Sequence, residues 1–151
     1  MPRKAAAESL RAQFSALGVA DALDLIKSEV LEDLPQLARF VLLRSLWHGV
    51  ADAWAEPGSF DRLPAAQCLL AAGADREDLV RLVRAVAYEA VFATLDELDA
   101  GGDVNVSGVN AGWVVMESGE DGSPTGRALS GLHEDLLTMD PRGHDAADLW
   151  Q

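Results

Sequence analysis

The sequence predicts a mainly α fold: a single-domain helical bundle of four to five helices around a central helix at about 76–100, with a small C-terminal β-hairpin and short helices. Three observations predict this. Apolar residues recur every three or four positions along the first hundred residues, the period of helices with a dry face. Gly18, Gly73 and the pair Gly101–Gly102 fall where those patterns stop, as glycine does after a helix. Beyond Gly102 the period lapses, and Gly, Asn, Asp, Ser and Pro mark loops and turns.

The stretch from Asp75 to Gly101 organises the expectation. Asp75 is a good N-cap, and Glu77 and Asp78 follow in the first turn, where the helix dipole favours acids. Residues 85–93 are apolar except for Tyr88 and Glu89. A helix apolar all round must be covered on more than one face, so this segment is expected in the middle of the molecule with the acids outside.

The other elements follow in order. Residues 5–17 form a first helix through Leu10, Phe14 and Leu17. Residues 20–33 form a second, with Leu23, Ile26, Val30 and Leu34 on one side and Asp24, Lys27, Ser28 and Glu32 on the other. A third starts near Pro35, tolerated there because a first-turn N–H has no helical partner, and runs to about Ala55. Its Arg44, His48 and Asp52 step by four and share a row. Pro57 and Gly58 end it; residues 62–72 make a fourth helix. Connections this short imply antiparallel neighbours. Residues 103–112 read as a loop, Trp113–Glu117 and Thr125–Leu129 as the two strands of a hairpin, and 119–124 as its turn. Leu132, Leu136 and Leu137 mark a short helical turn, and Asp140-Pro141 caps a last element carrying Leu149 and Trp150. The expected division is a helical core over 1–101 and an appendage over 102–151.

Composition narrows the function. The 151 residues are 49% apolar, which suits a folded core, and carry a formal charge of −13. Such a surface repels nucleic acid and anionic membranes; it either keeps the chain in solution or steers a basic partner. Cys68 is the one cysteine, so no internal disulfide forms, and its apolar helical setting predicts a small core residue. No apolar run serves as a signal peptide or approaches the ~20 residues of a membrane span, so a cytoplasmic protein is expected. The richness in Ala, Leu, Val, Asp and Arg suits a high-GC bacterium.

Motif searches exclude several chemistries. Glycine-rich phosphate cradles and the Gly-x-Ser-x-Gly elbow are missing. His133-Glu134 has Leu137 where a zinc-binding second histidine would fall. The acidic turn from Glu117 fails as a calcium loop at Gly119 and at Ala128. No cofactor is expected.

Three constellations remain as candidate sites. Arg44, His48 and Asp52 form one row; His48 and Asp52 are weak metal candidates, since two ligands do not make a site. Glu89 stands alone among apolar residues. If buried it must be neutralised or paired, with Arg39, Arg44 or His48 as partners, either as a register-fixing ion pair or as the base of a polar pocket between helices 35–55 and 76–100. His133 and Glu134, with His144 and Asp148 further on, gather histidines and acids near the C-terminus, where capping and turn roles compete with a metal site including His133.

Three functions fit. The leading one is a small acidic cytoplasmic bacterial protein acting as a non-catalytic, immunity- or inhibitor-like module on a basic partner. Its warrant is charge, size and the absence of a catalytic signature. The alternative is a helical small-molecule or metal-binding protein, with enzymatic activity an open question, using Arg44, His48, Asp52, Glu89 and His133. The third is a homo-oligomer in which exposed apolar helix faces pair. Scattered basic residues speak against a nucleic-acid role.

Overall fold

In the computed structural model, residues 2–102, 108, 111–141 and 146–150 are described. The chain is mainly α. Helices α1 (Pro2–Ala16), α2 (Leu23–Glu32) and α3 (Gln36–Leu46) come first. A π-helical turn (Trp47–Ala51) and a 3-10 turn (Asp52–Ala55) prolong α3; α4 (Pro64–Ala71) and α5 (Arg76–Ala100) follow. Strands β1 (Met116–Ser118) and β2 (Pro124–Ala128) form an antiparallel hairpin, and α6 (Leu132–Leu136) and a 3-10 turn (Ala147–Leu149) complete the described chain. Among the described residues, no helix is long and apolar enough to cross a membrane.

The chain forms two compact units, Met1–Val41 with Gly101–Ser130, and Leu42–Ala100 with Gly131–Gln151. In the first unit, Leu10 and Phe14 of α1 meet Ala22 and Ile26 in a buried cluster. Phe40 closes it edge-on to Phe14, with ring centroids 5.6 Å apart. The hairpin pairs Met116 with Ala128 and Ser118 with Pro124, with an irregularity between, and its first strand starts at Met116 rather than at the expected Trp113. Two strands are marginal in water, and this pair is tied to α2 by charge. Arg127 of β2 donates to Glu29 at 2.8 Å and lies 3.7 Å from Asp33, while Glu117 of β1 flanks it at 3.4 Å. The second Glu29 oxygen accepts the Leu37 amide at 2.8 Å, satisfying a first-turn donor of α3.

In the second unit, α5 is the hub on which α6, the π turn and both 3-10 turns pack. Asp75 caps it as expected, accepting the amides of Glu77 and Asp78 at 2.7 and 3.1 Å. Gly101 stops it with φ +70°, a left-handed conformation that costs a residue without a Cβ little. Leu43, Trp47 and Ala51 bury one row of the third helix. Trp47 also donates its indole N–H to the Leu136 carbonyl at 2.8 Å, so the largest buried side chain leaves no polar atom unpaired.

Two expectations fail. The middle of α5 is not sheathed: Arg84, Ala87, Tyr88 and Leu95 are buried, whereas Leu82 and Val86 on the other side are 60% exposed. Apolar content on a small-residue helix permits burial all round but does not supply the neighbours to cover it. Likewise no residue of the apolar helix α4 is buried, and Cys68 is exposed rather than a core residue.

Candidate functional site

The expected polar pocket depended on Glu89 pointing inward. Leu82, Val86, Glu89 and Ala93 do share a face of α5, but it is the wet one, and Glu89 is exposed. The buried charge on α5 is Arg84, 5% exposed at its side chain. Five residues turn a helix by roughly 140° beyond a full circle, so Arg84 and Glu89 cannot face the same way. Arg84 donates to Asp52 at 3.0 Å and to Asp148 at 2.6 Å. The expected pairing of Glu89 with Arg39, Arg44 or His48 is therefore not formed, and a different pair joins these elements: the base is on α5, and the acid stands on the 3-10 turn.

The row of three survives in part. His48 Nδ1 lies 4.0 Å from Asp52 Oδ2, and the His48 side chain is half exposed. The wider π turn carries His48 outward while Trp47 and Ala51 go in. Arg44 is half-buried in the last turn of α3. The structure thus joins His48 and Asp52 to Arg84 and Asp148, and leaves Glu89 out. Among the described residues, no three His, Cys, Asp or Glu side chains converge as a metal would require. His144, paired with Asp148 by spacing, lies outside the described residues.

His133 takes a different set of partners, from the C-terminal end of α5. Its Nδ1 is 2.7 Å from Asp99 Oδ2, and its backbone N–H donates to the same oxygen at 3.1 Å. Nε2 lies 3.7 Å from Asp96, and Phe92 meets the ring edge-on at 5.6 Å. The hydrogen bond to Asp99 raises the His133 pKa above its ordinary value; burial opposes this, and the charges of Asp99, Asp96 and Glu134 add to the rise. Glu134 is itself exposed. The acidic turn at the hairpin has a local role: Asp121 accepts the Ser123 amide at 2.9 Å and holds its hydroxyl at 3.1 Å, which lowers the Asp121 pKa.

Sequence reasoning missed Arg84, Asp99, Glu29 and Arg127. Glu29 and Arg127 lie on the wall of a cavity of about 470 Å³ in the first unit, with Arg3, Ser9, Gln13 and Asp33. The one signal available was Arg84 itself, a charge inside the apolar stripe of α5.

The outer face of α5 is apolar over several turns. Leu82 and Val86 lead past exposed Glu89, Ala90, Ala93 and Thr94 to exposed Asp96 and Glu97. Fold and surface together define a mainly α chain with an apolar, acid-ended helical face. No family model, curated protein or solved structure matches it.

Proposed function

We propose that the chain is an acidic, non-catalytic protein-binding module of the bacterial cytoplasm, immunity- or inhibitor-like, that takes a basic partner on the outer face of α5. One observation carries the reading: Leu82 and Val86, on successive turns of a 25-residue helix, are each 60% exposed. Single exposed apolar residues are ordinary, but an apolar strip on a regular helix favours burial against something else. Glu89 stands within the strip and Asp96 and Glu97 end it, so the complementary surface is apolar with a basic group at its middle and at one rim. A formal charge of −13 adds long-range attraction for such a partner.

Titration calorimetry with an amphipathic leucine–lysine helical peptide of about five turns tests it. Binding is expected, weakening as salt rises, and lost in a Leu82→Ser, Val86→Ser double variant that keeps its helical circular dichroism. A peptide with glutamine for lysine is expected not to bind. Affinity indifferent to salt or to the double variant overturns the reading. Light scattering that finds a dimer, converted to monomer by the same variant, assigns the face to a second copy instead.

A further inference from the structure

The acids at the end of α5 stand where a helix least tolerates them. Glu97 and Asp99 occupy the last turn and Asp96 comes just before it, beside the negative pole of the helix dipole. Asp99 is the most demanding. Its side chain is only 9% exposed, and its Oδ1 is buried without a hydrogen-bond partner among the described residues. A buried carboxylate in that position calls for a cation. The group supplied is His133, delivered from α6, which is anchored by the buried Leu132 and Leu136. The ring is oriented from two sides: Asp99 Oδ2 accepts from its backbone N–H and holds its Nδ1, and Phe92 meets it edge-on. With Nδ1 committed to Asp99, Nε2 is the nitrogen left facing Asp96, 3.7 Å away.

We propose that His133 is a proton-operated counter-ion for the acidic end of α5: as imidazolium it spans Asp99 and Asp96, and on losing its proton it frees Asp96 to the exposed face of the helix. The proton leaves Nε2 for solvent, while the Nδ1–H stays on Asp99. Nε2 then presents a lone pair to a carboxylate, an arrangement with nothing to hold it. Asp96, whose side chain is 64% exposed, turns toward water, and the end of α5 becomes one charge more negative. The charged groups facing the ring are Asp96 and Asp99 from α5 and Glu134 from α6 itself, and all three favour the protonated form. The changeover therefore falls above the ordinary histidine value of about 6.5. If the outer face of α5 binds a basic partner, a consequence that rests on the reading above, the partner and the proton compete. Affinity then rises with pH through the His133 titration, and bound partner lowers the His133 pKa by linkage.

The decisive measurement uses the free protein. The ring resonances of His133, assigned by their loss in His133→Gln, are followed by NMR against pH. The expected midpoint lies above that of a free histidine, falls in Asp96→Asn, and falls further in Asp99→Asn. A midpoint at or below the free value, or one unmoved by Asp96→Asn, overturns the proposal. Asp96→Asn changes an exposed side chain, so it decides the matter even if Asp99→Asn fails to fold. A second arm titrates the leucine–lysine peptide at about pH 5.5 and about pH 8. One added surface charge near a bound lysine is expected to tighten wild-type binding about fivefold, with His133→Asn indifferent to pH. Peptide that does not bind at all, beside a normal NMR titration, removes the partner reading and leaves the counter-ion standing.

Discussion

Arg84→Met keeps the length of the side chain and removes the cation between Asp52 and Asp148. Two carboxylates are then left facing each other at the edge of the core. Because they are 22% and 33% exposed, water relieves part of the strain. The expected loss, by urea denaturation, is about 2–3 kcal/mol, below the roughly 3–5 of a wholly buried pair. A loss under about 1 kcal/mol would mean that the pair contributes little. His133 gives a pH signature of its own. Its folded pKa is raised, so its contribution to stability is fully present below its unfolded pKa and is lost as pH rises through the folded value. Urea midpoints at a series of pH values are expected to fall across that window, and to lose the dependence in His133→Gln. Tyr88, the one tyrosine, is pushed above its usual 10.0 by burial and then by Glu89. An ultraviolet titration is expected to find a midpoint above 10.0, lowered in Glu89→Gln. At this scale the sequence named His133, His48 and Asp52 but neither Arg84 nor Asp99, which hold Asp52 and His133. Asp148 is 64 residues from Arg84, and Asp99 is 34 from His133. No periodicity links positions so far apart.

Elements were far more legible, because their ends are written locally. Asp75 and Gly101 bound α5 where its cap and its left-handed stop require them. Asp75→Ala is expected to cost about 1 kcal/mol by denaturation, the usual worth of an N-cap. The face of α5 is the opposite case. Grouping Leu82, Val86, Glu89 and Ala93 on one side follows from a period of 3.6, but the period does not say which side is covered. Serine at Leu82 and Val86 together is therefore expected to change stability by no more than about 0.5 kcal/mol per site. A loss of several kcal/mol would show instead that this face is covered in solution. The π turn at Trp47–Ala51 was illegible for another reason: a single glycine, Gly49, inside a helical pattern does not tell a π turn from an ordinary one.

At the scale of the whole molecule, charge dominates. A formal −13 on 151 residues repels itself in the compact state. Raising ionic strength from about 0.01 M to about 0.15 M shortens the screening length from roughly 30 to roughly 8 Å, and the melting temperature is expected to rise. No rise would mean that the acids are already neutralised by pairing. Each compact unit also draws on both halves of the chain. Arg127 reaches Glu29 across 98 residues, and the hairpin belongs with α1 and α2, while α6 belongs with α5. The sequence alone determined roughly where the helices lie, how α5 starts and stops, and that the chain carries a large net negative charge, since each depends on neighbours in the chain or on composition. Only the tertiary structure decided which side of α5 is dry, that Arg84 rather than Glu89 is the buried charge, and which acids hold His133. Burial and ion pairing depend on what other segments bring alongside, and helical periodicity carries no record of that.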